Sequence, residues 1–128
     1  MDSKELGILG EKIAENYLQK KGYKILEKNY SPSFISGLNI GEVDLIAKKK
    51  DVIIFVEVKT LRQSLGGFFN PEDKVDYQKQ RKIIKTAQSY ILEKKLFSEI
   101  KWQIDVLSIV IDFEKRKAKI KHFENAVV

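Results

Sequence analysis

Apolar positions recur along this chain at two different periods, and the changes from one to the other mark out its elements. Leu6, Leu9, Ile13, Tyr17 and Leu18 return at helical spacing, which predicts a helix over residues 3 to 21, with Asp2 or Ser3 to cap it and Gly22 to end it. Residues 23 to 30 read as a strand, and 31 to 41, with Pro32, Gly37 and Gly41, as a long surface loop. Two nearly continuous apolar runs, GEVDLIA (41–47) and VIIFVEVKT (52–60), then flank a lysine-rich turn and predict a hairpin covered on both faces. Residues 60 to 72 form another loop, whose Phe68 and Phe69 are expected to cover a core edge. A second helix is expected from about Glu72 to Lys95, with Ile83, Ile84, Ala87 and Ile91 as its buried face. Residues 101 to 112 make a further strand with Asp105 facing away from Trp102, Ile104 and Val106. A last strand carries Lys115, Lys117, Lys119 and Lys121 on one face, a comb that is more often an edge guarded against aggregation than a nucleic-acid groove. The order helix, strand, hairpin, helix, strand, strand predicts an α/β fold with a central mixed β-sheet flanked by helices, as one domain over residues 1–128.

Polar side chains that interrupt these apolar patterns are the candidate chemistry. Alternation puts Glu42, Asp44 and Ile46 on one face of the hairpin's first strand, and Phe55, Glu57 and Lys59 on one face of the second. If the turn at Lys50 and Asp51 has an even number of residues, Asp44 falls opposite Glu57 and Glu42 opposite Lys59; an odd turn would part the two acids. Like charges opposed at that spacing repel, and a divalent cation would convert the repelling pair into a ligand set. On the first helix Glu11 borders the apolar arc beside Ala14 and Leu18, where the bland reading is a solvated glutamate. On the second, Gln80 projects from the buried face one turn before Ile84, either bonded to backbone or aimed at the sheet.

Composition narrows the chemistry further. The chain has 128 residues, and 24 Lys plus Arg against 18 Asp plus Glu give a net charge of +6, which favours a polyanionic partner. With no cysteine there are no disulfides, thiolate metal sites or cysteine nucleophiles. The single histidine, His122, leaves no His-based metal cluster and has no obvious triad partners. Any metal site is therefore expected to use mainly oxygen ligands, which suits Mg²⁺ or Mn²⁺. No signal-peptide core or membrane-length apolar run is present, so a soluble cytoplasmic protein is expected.

These residues also carry a resemblance. Gly10-Glu11 with Ala14 and Tyr17-Leu18, then GEVDLIA, FVEVKT (55–60), KQRKI (79–83), IDV (104–106) and Asn125-Ala126 resemble the YraN family of small bacterial proteins, over about Gly7 to Ala126. That family is similar to the restriction-endonuclease-like, or PD-(D/E)xK, nucleases and to archaeal Holliday-junction resolvases. The resemblance implies that Asp44 and Glu57 ligate a divalent metal together with the Val58 carbonyl. It implies that Lys59 lies beside the attacking water and scissile phosphate, that Glu11 is an auxiliary acid, and that Gln80, alone or with Lys79, faces the site. Lys79, Arg81, Lys82 and Arg62 are the candidate nucleic-acid contacts. Where family members often carry an arginine shortly before the late strand's acid, this chain has Gln103, and it lacks a proline before Asp44. Three readings follow: a metal-dependent endonuclease acting on DNA, with branched DNA calling for a homodimer; a nucleic-acid-binding module of the same fold with little or no turnover; and an interaction module in which Glu57 and Lys59 are a structural ion pair.

Overall fold

The computed structural model describes residues 1–32, 41–63, 77–96 and 100–126. The expected features around Phe68, Phe69 and most of the 31–41 loop lie outside these residues. Helix α1 (Ser3–Lys20) starts at Asp2, whose side chain accepts from the Glu5 N–H while the Glu5 carboxylate reaches back to the Asp2 N–H. This reciprocal box satisfies two orphan donors of the first turn. The chain leaves α1 through Gly22 at φ 92°, a backbone that glycine adopts without steric cost.

Five strands follow: β1 (Lys24–Tyr30), β2 (Val43–Lys49), β3 (Val52–Arg62), β4 (Lys101–Asp112) and β5 (Lys117–Phe123), with α2 (Tyr77–Glu93) between β3 and β4. They form one sheet in chain order. Strand β2 is antiparallel to both β1 and β3, β3 and β4 are parallel, and β5 returns antiparallel. The fold is thus an α/β arrangement with a mixed sheet and a helix on each face. Lys115 belongs to the turn before β5, so the comb on the strand itself is Lys117, Lys119 and Lys121.

Strand alternation divides the core in two. Leu45, Ala47, Ile54, Val56, Leu107 and Ile109 pack with Ala14 and Leu18 of α1. Ile46, Ile53, Phe55 and Ile104 pack with Ile83, Ala87 and Tyr90 of α2. The buried line of α2 runs through Ile83, Thr86, Ala87 and Tyr90, while Ile84 and Ile91, expected at its centre, are only partly buried. Tyr90 packs its ring edge-on against Tyr30 of β1 and Phe55 of β3, which turns the Ile83–Tyr90 line of the helix toward the sheet and accounts for the difference. Among the described residues no helix is long and apolar enough to cross a membrane.

Two close approaches set the helices against the site. A Cβ added at Gly10 would lie 1.7 Å from Thr60 Oγ1, so α1 can rest on β3 only because residue 10 has no side chain. On the other face, fully buried Thr86 places its hydroxyl 2.9 Å from the Gly41 carbonyl and 2.9 Å from that of Lys82, tying α2 to the segment that enters β2.

Candidate functional site

The site is built where β2 and β3 part. The two-residue turn at Lys50 and Asp51 sets the register from Lys49↔Val52 to Leu45↔Val56, the even arrangement that opposes Asp44 and Glu57 one step further on. The β2–β3 ladder ends at Leu45↔Val56. Beyond it β2 stays paired with β1 through Tyr30↔Val43, and β3 stays paired with β4 as far as Arg62↔Ile111. The result is a fork. By the alternation of an antiparallel ladder, the Val58 N–H and carbonyl face this gap. The N–H donates to Asp44 Oδ2 at 2.8 Å, so a carboxylate takes the place of a strand carbonyl.

Asp44 and Glu57 project on the α2 side of the sheet, with Glu57 almost fully buried. Burial and then the Glu57 charge push the Asp44 carboxyl up to about 7, with Glu11 adding to the shift; the Val58 N–H and Lys79 oppose it. From the neighbouring helix, Lys79 Nζ reaches to 2.6 Å from Glu57 Oε1. Lys59 also lies beside Lys79, and its amine is held below its ordinary range by burial and by Lys79, against the pull of Glu57 and Asp44.

Glu11 arrives from α1, half-buried, with its carboxyl raised by burial first and then by Glu42 and Glu57. Asn29, in the left-handed backbone region at φ 50°, stands between two acids. With its amide nitrogen turned toward them, the orientation that gives it acceptors, it lies 2.7 Å from Glu11 Oε1 and 3.0 Å from Glu42 Oε1. Glu42 is therefore engaged with Asn29 rather than set across from Lys59. Glu11 and Asn29 also line a cavity of about 190 Å³ together with Ile8, Lys12, Glu15, Lys28 and Leu45. Asn29 was not among the residues expected from sequence; its signal is an Asn ending a strand, a residue type that tolerates positive φ.

The other expected residues divide as follows. Lys79, expected to face the site with Gln80 and to contact nucleic acid, is the cation on Glu57, and it sits one turn before Ile83 on the buried line of α2. Gln80 is half-buried on the same turn. Arg81 and Lys82 are exposed on α2. Arg62 is not brought to the site: it faces the α1 side, donating to the Met1 carbonyl at 3.2 Å and lying 4.6 Å from the centre of the Phe113 ring.

A second polar cluster lies on the α1 face, and it corrects the expectation that His122 has no metal-ligating neighbours. Asp105, His122 and Glu124 each offer a ligand atom within 4.8 Å of one another, a group that could hold a metal ion. Asp105 is fully buried and accepts from Gln103 Nε2 at 2.8 Å and the Asn125 N–H at 2.9 Å, while His122 Nε2 lies 2.7 Å from its other oxygen. The remaining ring nitrogen of His122 is 3.2 Å from the Tyr17 hydroxyl. Tyr17 is raised by burial and then by Glu124 and Asp105, and Tyr23, stacked nearby, is pushed up to about 12, chiefly by burial. Gln103 thus helps hold the late-strand acid that the sequence retains.

With this geometry in view, comparison with known proteins adds one decisive match: a family profile described as "Uncharacterised protein family UPF0102" covers residues 10–109. The chain belongs to that family. It is 45% identical to a UPF0102 protein of Caldanaerobacter subterraneus subsp. tengcongensis over 98% of this chain and 97% of the relative. It is 40% identical to one from Alkaliphilus oremlandii over 97% and 98%, and 36% identical to one from Clostridium botulinum strain 657 over 97% and 94%. The matched span holds Glu11, Asp44, Glu57, Lys59, Lys79 and Asp105, so the fork lies within it, whereas His122 and Glu124 of the second cluster lie beyond it.

Proposed function

We propose that this UPF0102 protein is a divalent-metal-dependent endonuclease that hydrolyses phosphodiester bonds in DNA at the β2–β3 fork, on a restriction-endonuclease-like scaffold. The observation that carries the reading is the pair Asp44 and buried Glu57, one register step past the last β2–β3 pairing, where the Val58 N–H already reaches Asp44 and the two acids act on each other strongly enough to push the Asp44 carboxyl up. Two acids held together with too little positive charge are a place a divalent cation stabilises. The donor set fits: oxygen atoms from Asp44 and Glu57, with the Val58 carbonyl facing the same gap, suit Mg²⁺ or Mn²⁺. When bound, such an ion polarises the phosphate and makes water a better nucleophile near neutral pH.

The chain's own residues supply the rest. Lys59, shifted toward its neutral amine, is placed to take the proton of a water attacking phosphorus, while the P–O bond on the far side breaks and the departing oxygen takes a proton from solvent. Lys79 holds Glu57 in position and would supply a positive charge beside the phosphate. Glu11, tied by Asn29, is an auxiliary acid at the edge of the fork, and Gln80 sits on the turn of α2 that carries Lys79. Arg81 and Lys82 are exposed for phosphate contacts. A branched substrate requires two such sites and therefore a homodimer.

The second reading is a DNA-binding module of the same fold without turnover, favoured by the 2.6 Å Lys79–Glu57 ion pair, which already gives Glu57 a cation. Incubation of linear, single-stranded and four-way DNA with Mg²⁺ or Mn²⁺ separates the two. Cleavage by the native protein that falls to background in Glu57→Ala supports the nuclease; binding without cleavage of any substrate supports the module; cleavage that survives Glu57→Ala contradicts the assignment of the site.

A further inference from the structure

Strand register links the fork to a part of the molecule that the proposed reaction does not use. Lys59 pairs with Ser108 across the parallel β3–β4 ladder, and Ser108 pairs with Lys121 across the antiparallel β4–β5 ladder. Directly paired residues share a face, so Lys59, Ser108 and Lys121 form one row on the face that carries Asp44 and Glu57. The next rows on that face end in Lys119, paired with Val110, and Lys117, paired with Asp112. All three β5 lysines are exposed. The opposite face of β5 is different: Ile120 packs against the α1 core and His122 binds Asp105.

Three further features bear on what this face could meet. Ser108 is 2% exposed, and its hydroxyl has no hydrogen-bond partner, so a small, buried side chain separates Lys59 from Lys121 and places no competing charge between the two cations. The acid facing Lys117, Asp112, is engaged by the Glu114 and Lys115 N–H groups of the β4–β5 turn, both at 3.1 Å. Alternate residues on a strand stand roughly 6.5–7 Å apart, a spacing comparable with that of successive phosphates on a nucleic-acid strand. Protection of an edge strand would need charge on β5, but not charge in register with the fork.

We infer that Lys117, Lys119 and Lys121 form a phosphate track that continues the β2–β3 fork, holding the sugar–phosphate backbone of the DNA strand that leaves the cleavage position. This rests on the proposed function of the fork and adds to it the surface that fixes where the strand runs. The track takes phosphate rather than bases, so it confers affinity and register without sequence preference.

The test compares three folded proteins: native, Lys117→Gln/Lys119→Gln/Lys121→Gln, and a charge-matched control, Lys4→Gln/Lys20→Gln/Lys24→Gln, which changes exposed lysines on α1 and β1. DNA affinity is measured from low to moderate salt, along with single-turnover cleavage at saturating DNA. For the track variant, the slope of log affinity against log salt should shrink by up to about 0.9 per lysine removed on duplex DNA, with half-saturation for cleavage raised and the saturated rate unchanged. The control should keep the native slope. Equal slopes in all three proteins, or the same loss in track variant and control, would overturn the inference while leaving the fork's function standing. A native protein that binds no DNA at low salt would instead overturn the proposed function, and the track with it.

Discussion

Two buried aspartates, one on each face of the same sheet, show how differently a fold can treat an acid. Asp105 lies under α1 with both oxygens engaged by Gln103, the Asn125 N–H and His122. Asp44 lies at the fork with the Val58 N–H on one oxygen and with Glu57, rather than a cation, as the strongest charge acting on it. The first acid is a tie that fastens β5 and the C-terminal segment to β4. The second is held in a place that its own protein does not neutralise. Burial alone therefore does not mark function; the mismatch between a buried charge and its partners does.

Breaking the tie should have the largest effect. Asp105→Ala leaves a side-chain amide, a backbone N–H and a histidine without their acceptor, and is expected to cost about 3–5 kcal/mol in denaturant unfolding. Next comes Gly10→Ala, which sets a methyl against Thr60 and should cost about 1–3 kcal/mol while moving Glu11 away from the fork. Asp44→Asn should act in the opposite direction from Asp105→Ala. The amide oxygen can still accept from Val58 and the repulsion with Glu57 is gone, so at pH 8 the variant should be more stable by about 0.5–2 kcal/mol and inactive in cleavage. The smallest of these is Asn29→Ala, expected to cost about 1 kcal/mol for its left-handed backbone and lost hydrogen bonds; Asn29→Gly should recover the backbone part.

The same contrast predicts a pH dependence. Asp44 has a folded value near 7 against 3.8 for the unfolded chain, so between those values the folded state binds more protons than the unfolded state. Metal-free stability should therefore fall as pH rises from about 4 to 7, with Glu11 contributing in the same direction. In Asp44→Asn most of that slope should vanish.

Much of this was legible in the sequence because it depends on local periods. The helical spacing of Leu6 to Leu18 and the alternation in residues 43 to 60 are written residue by residue, and a two-residue turn settles the register that opposes Asp44 and Glu57. What depends on where pairing stops was not legible. The fork arises because β2 follows β1 while β3 follows β4, and no local pattern reports that divergence. That Lys79 reaches Glu57 turns on a rotation of α2 set by ring packing at Tyr90. His122 seemed partnerless because its partners, Tyr17 and Asp105, come from α1 and β4 and meet only in the folded chain.

The central claim, that the fork is short of positive charge and accepts a divalent cation, is tested most directly by following the Asp44 carboxyl carbon by NMR across pH, with and without Mg²⁺. The account predicts titration near 7 in the metal-free protein and a drop toward the ordinary carboxylate range when Mg²⁺ is added, with no such drop in Glu57→Ala. An ordinary value without metal, or an elevated one that saturating Mg²⁺ or Mn²⁺ leaves unmoved, would contradict it.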